Sequence, residues 1–115
     1  MRHLCLFIIL AIVFGVSLTS LAKNGETNHS SARDAAELYA KHCASCHGKD
    51  GQAKTLKAKL KHARDLTDPG WQNEVSDERL SNSIMNGKRK MPGFGKKLSE
   101  QEVDALVSYV RSLKK

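Results

Sequence analysis

Cys43-Ala44-Ser45-Cys46-His47 is the run whose residue types and spacing can do chemistry. Cysteines at i and i+3 face the same way on a helical turn. Both thiols can then add to the two vinyl groups along one edge of a haem and form thioethers, while the adjacent His47 reaches the iron. Two other chemistries compete for the pair. A Cys43–Cys46 disulfide does not require a histidine immediately afterwards, and half of a zinc site lacks further cysteines, leaving only His29, His42, His47 and His62 as partners. A redox Cys-x-x-Cys belongs near alternating strands and helices, which the chain does not show. Cys5, the remaining cysteine, lies in an apolar N-terminal run and reads as a small apolar filler.

The elements that must position these residues read as helices. The first is expected over about Ser31 to Cys46, with Ala36, Tyr39, Ala40 and Cys43 at helical spacing and Gly48 as its stop. A second starts at Ser76, a capping residue followed by Asp77 and Glu78, with Leu80 and Ile84 on one face and Gly87 at its end. In the last, Ser99 and Glu102 form a capping box ahead of a stripe of Val103, Leu106, Val107, Val110 and Leu113, with Asp104, Ser108 and Arg111 opposite. Between the first two, Leu56, Leu60 and Ala63 line one side of a short lysine-rich helix, and Asp68-Pro69-Gly70 reads as a turn. No alternation marks a strand, so the fold class is all-α.

At 115 residues the chain has room for one domain. Its 19 Lys+Arg against 12 Asp+Glu give a formal charge of +7, which favours acidic partners. Aromatics make up only 5% of residues, and much of the apolar content sits in the first two dozen, so the core is short of bulk that a bound cofactor would supply. Residues 1–22 read as a signal peptide: Arg2 and His3, an apolar run from Leu4 to Phe14, then Ser20-Leu21-Ala22 as a cleavage site. The alternative is an uncleaved anchor over residues 4–22. Residues 23–31 read as a flexible spacer and 32–115 as the folded domain, exported and most simply periplasmic.

The runs CASCHGKDG, Arg64-Asp65-Leu66-Thr67-Asp68-Pro69-Gly70-Trp71 and Asn86-Gly87-Lys88-Arg89-Lys90-Met91-Pro92-Gly93-Phe94 together resemble a small class I monohaem cytochrome c, over about Ala32 to Leu113. The resemblance implies a cytochrome c-like fold, a few helices around one covalently bound haem c, with the first and last helices crossing so that Ala35 and Tyr39 meet Leu106 and Tyr109. It implies cofactor attachment through Cys43 and Cys46, with His47 and Met91 as the axial metal ligands and Pro92 stiffening the distal loop. Met85, His62 and an open sixth position are the alternatives to Met91; Met85 also fits a core filler and His62 a solvated residue. The family commonly has Pro-x-Leu where this chain has Arg64-Asp65-Leu66, so the carbonyl that receives the proximal histidine's hydrogen bond would be that of Arg64. Trp71 is either a partner for a haem propionate or a core aromatic. Phe94 is expected to seal the haem crevice, and His42 to face solvent.

Two basic groups, Lys54, Lys57, Lys59, Lys61 with Arg64, and Lys88, Arg89, Lys90, Lys96, Lys97, are either plain solvated surface or a ring that steers acidic redox partner proteins. A basic face without interleaved aromatics does not read as a nucleic-acid site. With no nucleophile, carboxylate pair or phosphate loop in sight, the expected function is an electron carrier, not an enzyme. The rivals are a haem enzyme or gas sensor with a displaceable sixth ligand, and a membrane-anchored cytochrome subunit of a larger oxidoreductase.

Overall fold

A computed structural model describes residues 27–115, with side-chain environments from residue 34 onward. The leader over 1–22, its cleavage after Ala22 and the first part of the spacer lie outside the described residues. Six helices follow in order: α1 (Thr27–His42), α2 (Ala44–His47), α3 (Leu56–Lys61), α4 (Pro69–Glu74), α5 (Asp77–Asn86) and α6 (Glu100–Ser112). Among the described residues there is no strand, only an isolated antiparallel bridge between Lys88 and Met91.

The first helix departs from its expected limits at both ends. It is already helical at Thr27, inside the stretch 23–31 read as a spacer. That stretch lacks an apolar face, but no Gly or Pro interrupts 27–42, and a nucleated helix propagates at one hydrogen bond per residue without needing one. At the other end the expected continuous helix to Cys46 is divided at Cys43, whose φ of −114° leaves the helical value. Cys43 N donates to Tyr39 O at 2.8 Å, and beyond the break Cys46 N and His47 N both turn to Cys43 O, at 3.1 and 3.0 Å. A one-residue break of this kind leaves no mark on apolar periodicity.

The crossing of α1 with α6 forms the centre of the molecule. Tyr39, Val103 and Leu106 are each about 1% exposed, and Leu66, Leu80, Ile84, Leu98, Val107 and Val110 complete one cluster around them. Ala35 is buried on α1, and the Tyr39 and Tyr109 rings meet with centroids 4.9 Å apart, as the resemblance implied. Both strong caps are present. Ser76 Oγ accepts from Arg79 N, and Ser99 and Glu102 exchange the two hydrogen bonds of a capping box.

The middle of the chain corrects one expectation. Asp68-Pro69 does not make a free turn: Asp68 caps α4 by accepting from Trp71 N, and Pro69 takes the first helical position, where its missing N–H costs nothing. The lysine-rich helix forms, capped by Thr55 Oγ1 accepting from Ala58 N at 2.9 Å, with Leu56 and Leu60 on one side. Ala58 is the buried residue, while Leu56 and Leu60 are 74% and 66% exposed. A helix so short has little apolar face to dictate its roll, so neighbouring contacts decide it.

A polar node joins the helix ends beneath α6. Gln72, 3% exposed, donates through Nε2 to the carbonyls of Leu66 and Val110, both at 2.8 Å. Arg111 donates to Gln72 Oε1, to the carbonyls of Gln72 and Val75, and pairs with Asp77 at 2.7 Å. Arg111, expected on the solvated face of the last helix, is thus a clamp between α4, α5 and α6.

Candidate haem site

The break at Cys43 separates the attachment turn, α2, from α1. Cys43 and Cys46 are both half-buried free thiols, not joined as a disulfide. Burial, then the neighbouring Cys46, pushes the Cys43 thiol up to about 11, so it stays protonated near neutrality. A protonated thiol is a poor metal ligand. Among the described residues no group of three or more His, Cys, Asp or Glu side chains is placed to hold a bare metal ion.

His47 is held by its backbone and by its ring. Its Nδ1 lies 2.9 Å from the Arg64 carbonyl, which can only accept, so Nδ1 carries the proton and Nε2 keeps its lone pair. Burial holds its pKa below the ordinary histidine value, opposed in part by that hydrogen bond, and the ring is neutral. A neutral imidazole fixed through Nδ1 is the form in which histidine ligates a metal. The Arg64 guanidinium lies over Trp71, 5.8 Å from the ring centroid, so one residue touches the histidine through its backbone and the tryptophan through its side chain.

On the other side, the chain leaving α5 folds back on that helix's end. Phe94 N donates to Ile84 O at 2.8 Å and Gly95 N to Met85 O at 3.0 Å, satisfying carbonyls the helix leaves open. Lys88 and Met91 exchange two backbone hydrogen bonds of 3.0 Å, which hold Met91 at the base of a tight turn. Gly87 permits this return: its φ is +78°, and a Cβ there would fall 2.6 Å from Met91 O. At Gly93 a Cβ would meet Met85 O at 2.7 Å.

Cys43, Trp71, Met85, Met91 and Phe94 all pack against the core cluster while staying only half-buried. Met85 and Met91 therefore share the same kind of setting. His62 is exposed at the left-handed C-cap of α3, the place expected of a solvated residue. His42, expected in solvent, is instead half-buried with its ring 5.5 Å from that of Phe94. Sequence reading also missed Gln72 and the reach of Arg111. The Asp-Pro helix start that positions Gln72 was the available signal.

All-α packing with crossed terminal helices, a free Cys-x-x-Cys pair and a fixed neutral histidine define a c-type cytochrome domain. Residues 30–110 match the family described as "Cytochrome C oxidase, cbb3-type, subunit III", and the chain belongs to that family of c-type cytochrome domains. It is 28% identical to cytochrome c6 of Gracilaria tenuistipitata var. liui, over 96% of this chain and 93% of the relative. It is 32% identical to the Cbb3-type cytochrome c oxidase subunit FixP of Azorhizobium caulinodans over 71% of this chain, and spans only 27% of FixP. Among solved structures it resembles the KustC0563 c-type cytochrome at 42% identity and a TM-score of 0.67, covering 71% of this chain and 99% of that one. The cofactor of this family is covalently bound haem c, and Cys43, Cys46 and His47 fit its attachment motif. The chain is a small monohaem class I cytochrome, a haem-based electron carrier. Among the described residues no helix is long and apolar enough to cross a membrane.

Proposed function

We propose that this protein is an exported one-electron carrier whose haem is attached through Cys43 and Cys46 and ligated by His47 and Met91. The observation that carries the reading is the His47–Arg64 hydrogen bond beside two free thiols, which leaves one lone pair, on Nε2, for the iron. Bound haem would supply a ferric/ferrous couple, and a thioether from Met91 together with the His47 imidazole would favour the ferrous form and raise the potential. The protein's work is to hold still. The Arg64 carbonyl fixes the imidazole plane, the Lys88–Met91 bridge presents the thioether from a pinned turn, and half-buried Trp71 and Phe94 limit water. With His47 and Met91 both holding the iron, no ligand position would remain for a substrate, and the protein would pass electrons without acting as an enzyme. Its exposed basic groups fit redox partner proteins with acidic docking surfaces, and the leader over 1–22 fits export to the periplasm.

Met91→Ala tests the ligand assignment. The thioethers should remain, while the ferric charge-transfer band of methionine ligation disappears, the potential falls and the ferrous protein gains carbon monoxide binding. Met85→Leu and His62→Ala should leave the spectrum unchanged. If either of them removes the sixth ligand and Met91→Ala does not, Met91 is not the ligand. Tight carbon monoxide binding by the unaltered protein would instead favour a sensor or enzyme.

The similarity to part of FixP supports a second reading, a cytochrome subunit anchored through residues 4–22 to a larger oxidoreductase. The native protein would then require detergent for extraction and would begin at Met1, whereas an exported carrier begins at Lys23.

A further inference from the structure

The acceptor that fixes His47 sits on a connection, not on a helix. Arg64 O belongs to the stretch between α3 and α4, and an arginine has no ring to fix its φ. What holds that carbonyl is therefore the anchoring of the residues just after it. Asp65 Oδ1 accepts from Thr67 N and Oγ1, which shapes the local turn without tying it to anything else. Leu66 N donates to Gly51 O at 2.8 Å, and Gly51 follows close on His47 in the same loop. Thr67 O accepts at 3.1 Å from the backbone of Lys115, an exposed residue beyond α6.

The Gln72 bond is of another kind, because it reaches the helices. Gln72, on α4 and 3% exposed, donates through Nε2 to Leu66 O and to Val110 O on α6, both at 2.8 Å. Arg111 can only donate, so its Nη1 selects Gln72 Oε1, at 2.9 Å, and leaves Nε2 for the two carbonyls. The amide is locked by partners that admit one orientation. Satisfying two stray carbonyls would explain such a group at any helix junction. Here one of those carbonyls lies two positions after the residue that accepts from His47.

We propose that Gln72 is a positioning residue for the proximal ligand: holding the Leu66 carbonyl from α4 and α6, it fixes the Arg64 carbonyl and thereby the His47 imidazole. This rests on the reading of His47 as an iron ligand and adds what sets that ligand's strength. A hydrogen bond from Nδ1–H to a carbonyl makes the imidazole more basic at Nε2. A more basic ligand favours ferric iron, so a firmly held bond lowers the potential and a loosened one raises it.

Two readouts on the holoprotein test this. One is solvent exchange of the His47 Nδ1–H, followed by NMR of the isotope-labelled ferrous form, and the other is the midpoint potential. Gln72→Glu keeps the shape and the Arg111 partner but replaces the donor with an oxygen that repels both carbonyls. Exchange should quicken about tenfold, the scale of one lost hydrogen bond, and the potential should rise with the Soret band retained. Leu106→Ala removes buried volume and no side-chain hydrogen bond, so well below its unfolding transition both readouts should stay at the unaltered values. Arg64→Pro added to Gln72→Glu should restore slow exchange, because the ring restricts the backbone that Gln72 no longer holds. Should Gln72→Glu fail to take up haem, Arg111→Lys carries the test: it frees Gln72 Oε1 and should move both readouts the same way by a smaller factor. Unchanged exchange in Gln72→Glu, or in Arg111→Lys where only that variant loads, overturns the proposal. So does Leu106→Ala moving both readouts as far as Gln72→Glu, or Arg64→Pro failing to slow exchange. Absence of haem-shifted His47 ring protons in the unaltered holoprotein overturns the ligation reading itself, and with those resonances present only the role of Gln72 is at stake.

Discussion

The α1–α6 crossing and the segment from Cys43 to Leu98 are built on opposite plans. At the crossing, Tyr39, Val103, Leu106 and Val110 fill the space with their own side chains, and even the Tyr39 hydroxyl is used, donating to Gly48 O at 2.8 Å. Burial holds that phenol protonated well above its ordinary range. In the intervening segment the helices are short, and the chain is held by caps, the Lys88–Met91 bridge and the Gln72–Arg111 node. There Leu66, Leu80, Ile84 and Leu98 reach the core, but Cys43, Trp71, Met85, Met91 and Phe94 border it without entering it. One region stabilises itself, and the other holds backbone in place so that side chains remain available to a cofactor.

If that contrast is right, damage to the crossing should be paid in stability and damage to the connecting segment in spectroscopy. Leu106→Ala should produce the largest effect, about 2–5 kcal/mol lost in guanidinium unfolding of the holoprotein, with the native Soret and methionine bands unchanged below the transition. Early loss of those bands would show that the crossing also shapes the haem site.

Gly87→Ala should reverse the pattern. A Cβ at φ +78° and 2.6 Å from Met91 O forces the turn to shift, at a cost of about 1–3 kcal/mol borne mainly by that turn. The ferric methionine band should weaken and carbon monoxide binding appear well below the global transition. A fall in overall stability with an intact band would place Met91 outside the ligand set.

The smallest effect is expected at Asp65, whose Oδ1 accepts from Thr67 N and Oγ1 at 2.8 and 2.7 Å. Those two bonds lower its pKa, the side-chain one most. A carboxyl depressed in the folded state adds stability above its unfolded value of about 3.9, and that stability is lost as pH falls through the folded value. Asp65→Asn should therefore flatten the acid limb of the stability profile by less than about 1 kcal/mol, because the group is near solvent. An unaltered acid limb would show that the Thr67 bonds contribute nothing net.

Legibility from sequence followed the same division. The stripe on α6 and the caps at Ser76 and Ser99 were readable because long amphipathic helices bury one face and their ends need particular side chains. The extent of α1 was less so: periodicity has no term for a polar helical extension or for a one-residue break at Cys43. The six residues of α3 could be recognised as helical with Leu56 and Leu60 on one side, but which way that side faces was not legible, since its orientation is set by Thr55, Lys57 and Lys90 reaching to other parts of the chain. Gln72 and Arg111 are ordinary polar residues in sequence and become a clamp only where carbonyls from three segments converge.

Cys43, Cys46 and His47 carry their chemistry in their spacing, because thioether formation and ligation by the next residue are local geometry on a single turn. The sequence by itself therefore determined the cofactor and the helical class. Which nitrogen of His47 is free depended on Arg64, 17 residues away, and where Leu56 and Leu60 point depended on how α3 is held between Cys46 and Lys90. Those are contacts between segments remote in the chain, and only the tertiary structure decides them.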